Sequence, residues 1–143
     1  MSPNPTATPN LDSTTKPMFI VEDDDHFRET FIDVMSLKGV EVSGARNGDE
    51  AIKALKQNKP CIIIMDINLP DVHGFDLCRK VKRLENQKDT PIIFVSASTK
   101  YSDPRDRAEG IQAGASQFLP KPISVERLWS AIEAVLSAVR RPS

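Results

Sequence analysis

The chain has 143 residues, enough for one domain whose core needs neither disulfides nor a structural metal. Its 19 basic and 20 acidic side chains leave a formal charge of −1, which gives no basic surface for nucleic acid. No apolar run approaches the roughly 20 residues of a membrane span, and the N-terminus lacks the basic-then-apolar pattern of a signal peptide. A cytoplasmic location away from the membrane is therefore expected. Cys61 and Cys78 stand without a CxxC or a neighbouring His at ligand spacing, and read as two reduced, partly buried thiols.

Residues 1–17, rich in Pro, Thr, Ser and Asn, are expected to form a disordered tail, because they bury too little to offset the entropy of ordering. The domain is expected over 18–140, with 141–143 a C-terminal tail or the start of a linker. "MFIV" (18–21) is a short apolar run that ends in acids. The stretch 26–39 places Phe27, Phe31, Val34 and Met35 on one helical face and stops at Gly39. Residues 40–45 alternate like a partly exposed strand. Asn47 followed by Glu50 opens a helix over 47–57 in the manner of a capping box. A third strand runs from Cys61 to Met65. The helix 74–84 carries Phe75, Leu77, Cys78, Val81 and Leu84 as its apolar positions. "PIIFV" (91–95) is a fourth strand, and 103–114 a helix capped by Asp103, begun by Pro104 and ended by Gly114. Residues 116–120 form a fifth strand, and the helix 124–139 aligns Val125, Leu128, Ile132, Val135 and Val139. Strict alternation with continuous apolar strands predicts an α/β fold, a doubly wound five-stranded parallel sheet with helices on both faces.

In such sheets the site lies beyond the carboxyl ends of the strands. Glu22 to Asp25 follow the first strand, Asp66 the third, Ser96 to Ser98 the fourth and Lys121 the fifth. Crowded carboxylates repel, and a bound cation or a proton relieves them. Mg²⁺ suits oxygen ligands and keeps waters that a phosphate can displace. Glu22, Asp23 and Asp66 supply the acids, and the Asn68 carbonyl is close in sequence. Lys121 and Ser96 could hold phosphate oxygens. The set suits a phosphoryl group carried on Asp66 as an aspartyl phosphate. An acidic run such as Asp23–Asp25 is commonly a solvated helix start, and that reading fits Asp24 and Asp25. His26 and His73 each stand alone and are not taken as ligands or phosphohistidines.

"VEDDD", "MDINLPDVHGFDL", "PIIFVSA" and "GASQFLPKP" together resemble the receiver domain of response regulators, over about residues 18–139. The resemblance implies a CheY-like fold with flavodoxin-like strand order 2-1-3-4-5. It implies that Asp23 binds Mg²⁺ (or Mn²⁺) directly and Glu22 through water, that Asp66 is the phosphoacceptor, and that the Asn68 backbone carbonyl completes the protein ligands. It makes Ser96 the switch hydroxyl, Phe118 the switch aromatic and Lys121 the phosphate-binding lysine, with a cis Lys121–Pro122 bond. Asn68 and Ser98 are implied to tune the phosphate lifetime. The implied partners are a sensor histidine kinase or a histidine phosphotransfer protein, and an output domain in cis or a partner in trans. A homodimer through the fourth helix, fifth strand and fifth helix is also implied, a surface that holds or adjoins Tyr101, Arg105, Arg107 and Trp129. The chain would then be no enzyme beyond its own phosphorylation and autodephosphorylation. Ser96 and Lys121 lie 25 positions apart, longer than is usual in the family, with the extra residues in 98–104.

Three rivals differ in testable residues. Aspartyl-nucleophile phosphatases carry DxDxT/V after the first strand, whereas the acceptor candidate here follows the third. A flavodoxin-like cofactor binder needs a Ser/Thr/Gly-rich loop where this chain has "EDDD". A degenerate receiver, acting only as an interaction module independent of phosphorylation, would have lost residues that are all present here.

Overall fold

The computed structural model describes residues 17–97 and 104–140. Five strands, β1 (Met18–Val21), β2 (Val42–Ala45), β3 (Ile63–Asp66), β4 (Ile92–Ser96) and β5 (Gln117–Pro120), form one parallel sheet in the order β2-β1-β3-β4-β5. Helices α1 (Asp25–Leu37), α2 (Gly48–Leu55), α3 (Gly74–Arg83), α4 (Pro104–Ala113) and α5 (Val125–Arg140) alternate with them, as expected. A short 3-10 turn, Glu85–Gln87, precedes β4.

Side chains alternate across a strand, so each apolar run feeds two cores. Phe19, Val21, Ile63, Met65, Ile92 and Phe94 face α2, α3 and α4, meeting Leu55, Phe75, Leu77 and Val81. Met18, Ile20, Ile64, Ile93, Val95 and Leu119 face α1 and α5, meeting Phe31, Met35, Leu128 and Ile132. That double burial is why β1, β3 and β4 read as continuous apolar runs.

The caps follow the residue types. Asp24 accepts from Phe27 N at the start of α1, and Asn47 accepts from Glu50 N at the start of α2. The second half of the expected capping box shifts by one residue: Glu50 Oε1 accepts from Arg46 N rather than from Asn47. Gly39, at φ 83°, and Gly114, at φ 122°, end α1 and α4 in the left-handed region that favours glycine. Pro104 opens α4 as expected, whereas the expected cap Asp103 lies outside the described residues. One expectation fails. Val139 is 56% exposed, and Leu136 takes the buried position in that part of α5.

Cys78 is fully buried, and its thiol donates to the Ala113 carbonyl at 3.3 Å, tying α3 to the end of α4. Burial pushes this thiol up to about 11, against weaker opposing charges from Lys82 and Arg79. At about pH 8 only on the order of one molecule in a thousand then carries the thiolate. Native protein at that pH should take up an alkylating reagent at Cys61 and spare Cys78, with both modified in denaturant. Rapid native modification of Cys78, read by peptide mass, would contradict this packing.

Candidate functional site

The sheet register assembles the site. Val21 pairs with Met65, so Glu22 emerges beside Asp66. Asp66 pairs with Val95, so Ser96 lies one step farther along. Ser96 pairs with Pro120, and Lys121 follows, its N–H donating to the Ser96 carbonyl at 2.8 Å. Four strand ends thus deliver Glu22, Asp66, Ser96 and Lys121 to one edge, three of them almost fully buried.

Carboxylate oxygens of Glu22, Asp23 and Asp66 lie within 4.8 Å of one another, Asp23 being the exposed member. For the buried pair Glu22 and Asp66, that separation means a repulsion of the order of 3 kcal/mol at an effective dielectric of about 20. Lys121 relieves part of it. Its Nζ donates to Glu22 Oε1 at 2.7 Å and stands 3.7 Å from Asp66 Oδ2. Glu22 Oε2 accepts from Asp24 N at 3.1 Å, and Asp66 Oδ1 from Asn68 N at 3.2 Å. Burial nevertheless raises Glu22 to about 7; the Lys121 hydrogen bond opposes the shift and the Asp66 charge adds to it. One lysine against three acids leaves an all-oxygen donor set with excess negative charge, which fits a hard divalent cation.

The loop that follows Asp66 is held at both ends. Gly74 N donates to the Ile67 carbonyl at 2.7 Å, and a Cβ at Gly74 would fall 2.7 Å from Ile67 Cα, so only glycine lets α3 start there. Asp71 accepts from Gly48 N at 2.9 Å and Asp49 N at 3.0 Å, which fixes the loop to the first turn of α2. His73 is the N-cap of α3, its Nδ1 accepting from Phe75 N at 3.1 Å, a structural role that accounts for this histidine.

Ser96 is buried, with Asn68 Nδ2 3.4 Å from its hydroxyl. Phe118 is half-buried against Phe75 and Phe94, at centroid distances of 5.9 and 5.3 Å. Gly110 of α4 makes room for that ring: a Cβ there would meet Phe118 Cζ at 2.2 Å. Arg107 lies over its outer side, 5.9 Å from the centroid. The structure therefore brings Glu22, Asp23, Asp66, Asn68, Ser96 and Lys121 together and sets Phe118 one layer away. Ser98 and Tyr101 lie outside the described residues. Lys121–Pro122 is cis, as the resemblance implied.

Two residues at the site escaped the reading of the sequence. Phe27 presents its ring 4.6 Å from Lys121 Nζ, a cation–π contact that helps hold the ammonium. Arg28 is buried and donates through Nη1 to the Glu22 carbonyl at 2.6 Å. Its signal was present: Arg28, Phe31 and Met35 share one helical stripe, so a cation occupies a core-facing position.

Residues 18–133 match the family model of the response regulator receiver domain, and the chain belongs to that family. It is 31% identical over 126 residues to the transcriptional regulatory protein AfsQ1 of Streptomyces coelicolor, covering 88% of this chain and 53% of that one. The chain thus spans about half the length of the curated relatives it matches. Among solved structures, the signal receiver domain of a signal transduction histidine kinase from Syntrophus aciditrophicus is 31% identical, with TM-score 0.75 over 89% of this chain and 94% of that one. The chemotaxis response regulator CheY4 of Vibrio cholerae is 29% identical, with TM-score 0.78 over 85% and 99%. The chain is accordingly a receiver domain of phosphorelay signalling, a signalling module. Among the described residues no helix is long and apolar enough to cross a membrane.

The raised Glu22 sets a pH dependence in the cation-free protein. Its ionisation is harder in the folded chain than in the unfolded one, so its contribution to stability is whole below about 4.5. That contribution falls as pH rises toward about 7 and is flat beyond. In chelator, the urea midpoint of the wild type should fall across that window, whereas Glu22→Gln should lack that part of the slope. An unchanged slope in Glu22→Gln would assign the titration to another group.

Proposed function

We propose that the chain accepts a phosphoryl group on Asp66 from a phosphohistidine, in a sensor histidine kinase or a histidine phosphotransfer protein. One observation carries the reading: the oxygens of Glu22, Asp23 and Asp66 meet within 4.8 Å at the sheet edge, with the Lys121 ammonium on two of the three acids. A cation at this site would be held by Asp23, Asp66 and the Asn68 carbonyl, with Glu22 acting through water. Mg²⁺, or Mn²⁺ in its place, would supply neutralisation of the acids and of the phosphoryl oxygens.

The residues divide the work. An Asp66 carboxylate oxygen attacks phosphorus in line; the P–N bond to the donor imidazole breaks and its electron pair stays on the imidazole nitrogen. Lys121 turns from Asp66 to a phosphoryl oxygen while it keeps its hydrogen bond to Glu22 and its place over the Phe27 ring, so little reorganisation is needed. The Ser96 hydroxyl leaves the Asn68 amide and donates to a second phosphoryl oxygen. Asn68, and Ser98 beyond the switch hydroxyl, control access of the hydrolytic water and so the lifetime. Movement of Ser96 changes the room beside Phe118, and the Phe75–Phe94–Phe118 cluster passes the change to the α4-β5-α5 surface, which bears Arg105 and Arg107. That surface would control an output domain in cis, a partner in trans or a homodimer. The signalling unit comprises 18–140, between flanking segments 1–17 and 141–143, and works in the cytoplasm.

Intact-mass analysis after incubation with acetyl phosphate tests this reading. The wild type should gain one phosphate with Mg²⁺ and none in chelator, and Asp66→Asn should gain none while keeping the wild-type circular dichroism spectrum. An unfolded Asp66→Asn would mark Asp66 as structural. No adduct on the wild type under any condition would favour the interaction module independent of phosphorylation.

A further inference from the structure

Arg28 is a buried cation on the inner stripe of α1, and its bonds go to the backbone of Glu22 and to Asp25, an acid outside the cluster. Its guanidinium forks. Nη1 donates to the Glu22 carbonyl at 2.6 Å, and Nη2 to Asp25 Oδ1 at 2.5 Å. Its stem crosses the edge strand β2 at Gly44, where a Cβ would lie 3.0 Å from Arg28 Cδ. The sheet edge therefore carries a glycine where this side chain passes.

The carbonyl that Arg28 holds belongs to the peptide unit joining Glu22 to Asp23. That unit is planar, so fixing its oxygen fixes the direction in which the chain enters Asp23. The rest of Glu22 is pinned independently: its N–H donates to the Ala45 carbonyl at 2.9 Å, and its carboxylate accepts from Asp24 N and Lys121. Among the described residues Asp23, the exposed acid, lacks such a set of bonds, and its aim depends on the backbone that carries it. We infer that Arg28 is a positioning residue for the cation site: it holds the Glu22–Asp23 peptide plane so that the Asp23 carboxylate faces Glu22 and Asp66. The inference rests on the reading of the three acids as a divalent-cation site.

The sign of one measurement separates positioning from charge. By charge alone, removing a cation near three acids would tighten binding of Mg²⁺. By positioning, removing it weakens binding, as loss of an outer partner of a ligand does. Calorimetric titration of the full chain with Mg²⁺ should give an affinity about tenfold lower for Arg28→Gln. Arg28→Lys keeps the charge but loses the fork and should fall between. Gly44→Ala leaves the charge and pushes the stem aside, so it should weaken binding in the same direction while folding normally. In metal-free protein the Asp23 amide resonance should shift in all three variants. If Arg28→Gln does not fold, Arg28→Lys and Gly44→Ala decide. Unchanged or tighter Mg²⁺ binding in the folded variants would overturn the positioning role and leave the cation site standing. A wild type that binds no Mg²⁺ would overturn the cation site and this inference together.

Discussion

Repulsion between acids at the carboxyl edge of the sheet is the constraint around which this molecule is arranged. Glu22 and Asp66 are both buried, and their neighbourhood includes a third carboxylate and one partly buried ammonium. A fold optimised for stability alone would separate these groups or replace them with apolar ones. Here the parallel register forces them together, because β1, β3, β4 and β5 end in step. The surrounding structure accommodates the conflict: Lys121 bridges two acids, backbone N–H groups bind the other oxygens of Glu22 and Asp66, and Glu22 holds its proton to unusually high pH. Unspent negative charge at a preformed oxygen cluster is what a divalent cation can use.

Around that edge the chain is fastened at points other than the clustered carboxylate groups. Arg28 grips the loop after β1, Asp71 and Gly74 grip the loop after β3, and the Lys121 N–H grips β4. These contacts explain how a conflicted site stays ordered on loops. They also leave one soft direction. Phe118 rests among aromatic rings against a glycine, an arrangement of shape rather than of hydrogen bonds, on the strand that pairs with the one ending in the buried Ser96.

Much of this was legible in the sequence. The runs at 18–21, 61–65 and 91–95 show their strands because both faces are buried, and an acid or a hydroxyl follows each, so the edge announces itself. What resisted reading has physical causes. Arg28 shows itself as a cation on the core-facing stripe of α1, but its partner is a backbone carbonyl, and a carbonyl carries no sequence signal to say what the cation holds. Val139 continues the stripe of α5 by period, but a 16-residue helix extends about 24 Å while four-residue β5 spans about 13 Å. The helix overhangs its sheet, and period alone does not say where the opposing surface stops. The Phe118 pocket depends on Gly110 meeting a ring from another element, a contact between elements that neither local pattern contains.

The most direct measurement of the central claim is the thermal unfolding of wild type and Asp66→Asn at about pH 8, in chelator and across a Mg²⁺ titration. If buried acids in conflict define the site, removing one of them stabilises the cation-free chain. Asp66→Asn should then melt above the wild type in chelator, and Mg²⁺ should raise the wild type while moving the variant little. A variant that melts below the wild type in chelator, or that gains as much from Mg²⁺, would contradict the account.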